Sequence, residues 1–258
     1  MSKIDLKNIS HSYNPNDPNP TYALNPFSMT WENGKRYAIL GPSGCGKTTM
    51  LNIVSGLVRP SAGNILFDDK DVTNLKTESR NIAQVFQFPV IYNTMTVYEN
   101  LAFPLKCRDF LKDKIEERVN SVADTLNLKS FLNSPARKLT ADQKQLISLG
   151  RGLVREDVAA VLMDEPLTVI DPDLKFRLRR KLKEINEEFK TTLVYVTHDQ
   201  NEAMTFADNI IVMSEGEVVQ AGTPKELFER PNTTFVGYFI GSPAMNLFES
   251  EVSSNDGV

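Results

Sequence analysis

The sequence predicts an α/β fold built on a mainly parallel sheet. Three observations carry that prediction. A short strand, Lys35-Arg-Tyr-Ala-Ile-Leu40, runs straight into a glycine-rich loop, Gly41 to Thr49, and then into residues with helical spacing (Met50, Leu51, Ile53, Val54, Leu57). A continuous apolar run, Val158-Ala-Ala-Val-Leu-Met163, ends in two acids, as a strand buried on both faces does. Helix and strand signals then alternate as far as Met213.

The remaining elements follow in order. Ile4, Leu6, Ile9 and Tyr13 alternate with polar residues, the pattern of a half-buried strand. Asn14 to Pro20 is rich in Asn, Asp and Pro and reads as a loop. The helix after the glycine loop stops near Arg59-Pro60, and strands follow at Asn64–Phe67 and Ile82–Phe86. Between Thr96 and Val154 the texture becomes helical: Leu101, Phe103, Leu105 and Phe110, then Ile115, Val119, Val122 and Leu126. A long helix over Asp173–Phe189 carries an apolar stripe of Leu174, Leu178, Leu182, Ile185 and Phe189. Its basic residues, Lys175, Arg177, Arg179, Arg180, Lys181 and Lys183, read as a solvated face. Strand Thr192–Val196, helix Glu202–Phe206 and strand Ile210–Met213 complete the alternation, and the tail from Glu249 to Val258 is polar. The expected organisation is a core of residues 1–88 and 156–235 with an N-terminal antiparallel β portion. A helical subdomain, 89–155, is inserted in it, and a hinge, 236–258, follows.

Composition narrows the class. The 258 residues are 41% apolar and 24% charged, with a net charge of −4. At about 150 residues per domain this is one large domain or two small ones, with enough apolar content for a core. An acidic balance argues against nucleic acid as the main partner. No apolar run approaches the ~18 residues of a membrane span, and Met1-Ser-Lys-Ile-Asp-Leu lacks a signal-peptide core. Two cysteines far apart, Cys45 and Cys107, fit a reducing cytoplasm better than a disulfide framework.

The chemistry is concentrated in Gly41-Pro42-Ser43-Gly44-Cys45-Gly46-Lys47-Thr48-Thr49, which fits G-x-x-x-x-G-K-[ST] between a strand and a helix. This predicts a P-loop NTPase fold. Glycines let backbone N–H groups curl around phosphate, and the helix beginning near Lys47 points its positive end at the same anion. Lys47 reaches the β- and γ-phosphates and Thr48 ligates Mg²⁺. Cys45 reads as a small filler, because a thiolate would be repelled by phosphate. Asp164 and Glu165, at a strand end, supply a carboxylate for the metal and a general base; taken alone, such a pair is equally a solvated strand end.

Most of the chain resembles the ATP-binding subunit of an ABC transporter, with the motifs in that family's order. The resemblance implies ATP and Mg²⁺ as ligands. It casts Tyr13 as the aromatic that stacks on adenine and Gln87, in Val85-Phe-Gln-Phe-Pro89, as the glutamine that touches Mg²⁺ and relays to membrane subunits. It casts Asp164-Glu165 as the acidic pair and Asp171, in Thr168-Val-Ile-Asp171, as the loop that crosses a dimer interface. His198, in Val196-Thr-His-Asp199, becomes the γ-phosphate sensor. Thr197 to Met204 and Gln220 to Phe228 resemble the maltose-type importers of sugars, polyols and glycerol phosphates. Phe235 to Asn246 resembles the hinge into that subclass's regulatory β domain, of which only about a dozen residues follow here, so that domain is expected to be missing or truncated. Implied partners are a second ATPase subunit, integral membrane permease subunits and, indirectly, an extracytoplasmic solute-binding protein. The implied location is the cytoplasmic face of the membrane.

One motif departs. Where the family carries Leu-Ser-Gly-Gly-Gln, this chain has Leu139-Thr140-Ala141-Asp142-Gln143. Ala141 adds a methyl where a backbone must approach phosphate closely, and Asp142 adds negative charge. The segment also reads simply as a capping box, T-x-x-Q. The departure favours a heterodimeric ATPase pair. It also keeps open a mainly regulatory ATP-binding module. A soluble ABC ATPase acting on DNA or ribosomes is the other alternative, although the long coiled coil or tandem cassette usual there is missing.

Overall fold

In a computed structural model, residues 2–168, 170–241 and 244–250 are described, Phe189 by its backbone alone. Val169 of the interface loop, Ser242 and Pro243 of the hinge, the side chain of Phe189 and the tail from Glu251 onward lie outside the described residues.

The chain forms β1 (Ile4–Ser12), β2 (Tyr22–Trp31), β3 (Arg36–Leu40), α1 (Lys47–Ser55), β4 (Ala62–Phe67), β5 (Lys70–Asp71) and β6 (Ile82–Val85). Next come α2 (Val97–Lys106), α3 (Lys112–Thr125), α4 (Ala141–Leu153), β7 (Ala160–Asp164) and α5 (Pro172–Phe189). The chain continues with β8 (Leu193–Thr197), α6 (Gln200–Phe206), β9 (Asn209–Ser214), β10 (Glu217–Gly222), α7 (Pro224–Glu229) and α8 (Thr234–Ile240). One sheet has the order β10-β9-β3-β8-β7-β6. Strands β9, β3, β8, β7 and β6 are parallel and β10 is antiparallel. The other is a four-stranded antiparallel sheet, β2-β1-β4-β5.

Side-chain alternation along the parallel strands divides the core. Ile39, Leu162, Val194 and Val196 face α1 and the antiparallel sheet, where Leu6, Trp31, Met50 and Leu51 meet them. Val161, Met163, Leu193 and Tyr195 face the other way, toward α2, α3, α4 and the apolar stripe of α5. Ala38, Leu40, Ile210 and Val212 pack under α6, α7 and α8. Because β3, β6, β7 and β8 are parallel, their C-terminal ends all open on one edge, where such sheets place ligands.

Several details differ from the pattern in the sequence. β1 does not alternate throughout: Asn8 has a φ of 50° and the pairing register shifts between Leu6 and Ile9, so both stay buried. Tyr13 falls just beyond the strand and is 66% exposed. β2, β5, β10, α7 and α8 are additional to the elements identified from spacing. The basic residues of α5 are not all solvated. Lys175 and Arg179 pair with Glu202, a carboxylate only 5% exposed that begins α6.

Candidate active site

The glycine loop leaves the C-terminal end of β3 and winds directly into α1. Gly46, the residue before the helix, has a φ of 101°, a region that side chains with a Cβ rarely adopt. At Gly41 a Cβ would stand 2.3 Å from the Met213 carbonyl oxygen, so sheet and loop pack without room for a side chain. Lys47 is 6% exposed, and its ammonium donates to the carbonyls of Gly41 and Pro42, both at 2.8 Å. It is thereby folded over the loop it serves. Cys45 is buried, its thiol pushed up by desolvation against the opposing influence of Lys47, so it stays protonated and chemically quiet.

A cavity of about 660 Å³ lies over this loop. Tyr13, Ser43, Gly44, Lys47, Thr48 and Thr49 line one side and Gln87, Glu165, Thr168 and His198 the other. Tyr13 leaves a ring face exposed; its hydroxyl is 3.2 Å from Thr49 Oγ1 and its ring meets His11 edge-on at 4.6 Å. Asp164, at the end of β7, is 7% exposed, and its carboxyl is raised by burial, with the Thr48 hydroxyl and the Lys47 charge opposing.

Glu165 is the focus of the far wall. Its φ is 43°, a left-handed conformation that a residue with a Cβ holds only under constraint. His198 Nδ1 stands 3.1 Å from its Oε2, and Gln87 Nε2 donates to the same oxygen at 3.5 Å. Thr168 Oγ1 donates to the Glu165 carbonyl at 3.0 Å and approaches Oε2 at 3.4 Å. Three chain segments, after β6, β7 and β8, thus converge on one carboxylate. Thr168 was not singled out from the sequence; a threonine three residues after an acid at a strand end is the signal that could have found it.

Leu139 to Gln143 and Asp171 do not line this cavity. Thr140 caps α4 in a reciprocal capping box with Gln143, and its hydroxyl also donates to the Asp142 carboxylate. Asp171 caps α5 by accepting from the backbone of Asp173 and Leu174. Thr140, Ala141 and Asp171 are exposed, while Asp142 and Gln143 are half-buried and Leu139 packs against the core.

Against this geometry, the ABC transporter family model matches residues 24–168. The chain is 42% identical over 256 residues to an sn-glycerol-3-phosphate import ATP-binding protein of Agrobacterium fabrum, covering 99% of this chain and 71% of that protein. The chain belongs to the ABC transporter family. A second relative, from Brucella abortus and of the same description, is 43% identical over 254 residues, covering 98% of this chain and 71% of that protein. Among solved structures, CbiO1 from Clostridium perfringens, part of an ABC transporter complex, superposes with a TM-score of 0.78 at 28% identity, covering 88% of this chain and 90% of that one. A dimeric ATP-binding cassette in a post-hydrolysis state with ADP and Pi gives 0.76 at 29% identity, covering 85% and 98%. The ABC subunit is thus an ATPase that binds ATP with Mg²⁺ and powers solute import together with membrane permease subunits. No helix among its described residues is long and apolar enough to cross a membrane.

The metal fits the residues present. Thr48, Asp164 and Gln87 offer a hydroxyl, a carboxylate and a carboxamide, all oxygen donors of the kind Mg²⁺ takes. Among the described residues no group of three or more His, Cys, Asp and Glu could hold a metal alone.

Proposed function

We propose that the cavity over the glycine loop is the ATP site and that Glu165 is its general base. Tyr13 takes the adenine on its exposed face, and the backbone of Gly41 to Thr49 with Lys47 takes the phosphates. Thr48, Asp164 and Gln87 hold Mg²⁺, which when bound neutralises charge on the phosphoryl oxygens. Glu165 accepts a proton from the attacking water, and His198 orients its carboxylate from 3.1 Å and would sense the γ-phosphate. The observation that carries this reading is the convergence of His198, Gln87 and Thr168 on the Glu165 carboxylate beside Lys47. Glu165→Gln keeps the shape and removes the base. It should leave ATP affinity within about twofold and lower turnover by ~100-fold or more, read by equilibrium binding of a fluorescent ATP analogue and by phosphate release. Retained turnover would remove Glu165 from the role.

The division into a core (1–88 and 156–235), a helical subdomain (89–155) and a hinge (236–258) belongs to the same reading. So does an assignment of the imported solute to glycerol phosphates or related sugars and polyols, which the names of the relatives support. The segment after Gln87 supports permease contact: Phe88 is 72% exposed and Val90 52%, an apolar surface beside the active site. With the permease in the membrane, the ABC subunit sits on its cytoplasmic face, and an extracytoplasmic solute-binding protein is an indirect partner. The altered signature supports a heterodimer. The N-terminus of α4 is closed by its own Thr140 and Gln143 and carries Asp142, which disfavours a partner's nucleotide there.

A further inference from the structure

Gln145 lies in the second turn of α4, on the helix that begins with the altered signature, and its side chain is fully buried. Its Nε2 donates to the Phe86 carbonyl at 3.2 Å and to the Pro166 carbonyl at 2.9 Å. Phe86 immediately precedes Gln87, and Pro166 immediately follows Glu165. One carboxamide therefore holds the backbones of both loops that carry the active-site side chains.

The same face of α4 continues the grip at helical spacing. Ser148 Oγ accepts from the Val90 N–H at 3.3 Å. Arg151 donates to the Val90 carbonyl and lies 4.6 Å over the Tyr92 ring. Ser148 and Arg151 touch only the segment after Gln87 in these contacts, whereas Gln145 reaches the Glu165 loop as well. Its Oε1 is buried with no hydrogen-bond partner among the described residues. A half-satisfied buried amide is poor material for stability alone. An apolar side chain of the same length would remove the orphaned Oε1 but take the donor from the Phe86 and Pro166 carbonyls.

We infer that Gln145 is a positioning residue: its carboxamide locks the carbonyls before Gln87 and after Glu165 to α4, so that the orientation of the signature helix sets the relative placement of the two side chains. This rests on Glu165 being the base. When α4 turns with the helical segment, both loops are carried with it, and the Glu165 conformation at positive φ is held from outside the loop.

The test compares Gln145→Met, Gln145→Glu and Glu165→Gln in the full chain within the ATPase dimer it forms. Methionine keeps the volume and removes both donors. It takes the donor from two carbonyls, so the melting temperature should fall, while well below that transition ATP affinity should stay within about twofold and kcat should fall on the order of 10- to 100-fold, as displacement of a positioned group does. Glutamate is isosteric and, when protonated, regains one donor. Burial raises its pKa, so its kcat relative to wild type should recover as pH is lowered from about 8 to about 6. Melting temperatures of Gln145→Glu at both pH values separate this from folding: recovery of kcat in fully folded enzyme is positioning, whereas recovery that only tracks melting overturns the inference. A Gln145→Met enzyme with wild-type kcat overturns the inference, as does a loss matched by equal loss of ATP affinity. Should the methionine variant fail to fold, a pH-independent activity ratio for Gln145→Glu overturns it. If Glu165→Gln itself turns over, the reading of the site has failed; if Glu165→Gln is inactive and Gln145→Met is normal, only the positioning role has.

Discussion

Glu202 joins elements that spacing along the chain keeps apart. Its carboxylate accepts from Tyr195 Oη at 2.9 Å and from Thr197 Oγ1 at 2.8 Å, and it faces Arg179 at 3.3 Å and Lys175 at 3.8 Å. Burial and the adjoining carboxylate push the Tyr195 phenol well above its ordinary range, so it remains a donor at any working pH. The carboxylate thus fastens α5 and the end of β8 to the start of α6, four residues after His198. Removing a buried charge that has cations and hydroxyls around it leaves all of them unpaired. Glu202→Ala should cost about 3–5 kcal/mol, against about 1–3 kcal/mol for Tyr195→Phe, which deletes one bond and leaves the ion pairs. Urea unfolding of the two variants checks the ordering; equal losses would show the ion pairs to be inert. The sequence signals at Glu202 were a helix start and an acid, both ordinary at a surface. Burial of a charge is invisible to periodicity, which tracks apolar residues, and the same reason hides Gln145 and the contact of Arg179.

At the scale of elements, legibility followed how strongly each one was buried or punctuated. The step from β3 through the glycine loop to α1 was readable because phosphate-loop geometry demands glycines at fixed spacing. β7 was readable because a strand covered on both faces must be apolar throughout. β2 was not, since it is an edge strand with Pro26 inside it and buries only Leu24 and Trp31. β10, at the edge of the other sheet, has no fully buried residue and was equally silent. The end of α1 shows a device of another kind. Arg80 is 2% exposed, and its guanidinium donates to the carbonyls of Ile53 (2.7 Å), Val54 (3.0 Å), Thr73 (2.8 Å) and Leu75 (3.2 Å). Desolvation lowers its pKa, yet the fork supplies a donor to Val54 O in the last turn of α1, shares Ile53 O with the Gly56 N–H, and ties both to the Thr73–Leu75 segment. An ammonium cannot span four acceptors set by a planar fork. Arg80→Lys should therefore destabilise the protein by about 2–4 kcal/mol, and the melting temperature should fall accordingly. Unchanged melting would show that water can take over the carbonyls.

At the scale of the whole molecule, no helix among the described residues is long and apolar enough to cross a membrane, while the motifs point to work beside one. The parallel sheet gathers Lys47, Thr48, Gln87, Glu165 and His198 around one cavity, which Leu139 to Gln143 and Asp171 do not line; in the proposed reading those serve another subunit. Two copies of this chain would oppose each nucleotide with Ala141 and Asp142. At an effective dielectric near 20, a carboxylate about 5 Å from a phosphate charge is repelled by roughly 3 kcal/mol, reduced by Mg²⁺ and by rotation of the side chain. The Thr140 hydroxyl is engaged by the Asp142 carboxylate as well. The homodimer should accordingly hydrolyse ATP slowly. Replacing both residues, Ala141→Gly with Asp142→Gly, should raise its rate about tenfold, since ~1.4 kcal/mol of relieved repulsion corresponds to that factor. A partner ATPase with an intact signature should raise the rate without those substitutions, and the gain should vanish when Glu165→Gln is introduced into this chain alone. Phosphate release by the purified chain, by the doubly substituted chain and by the mixed dimer separates these outcomes. Full turnover by the unmodified homodimer, unaffected by the two glycines, would show that Asp142 stands clear of the nucleotide and that the pairing is symmetric.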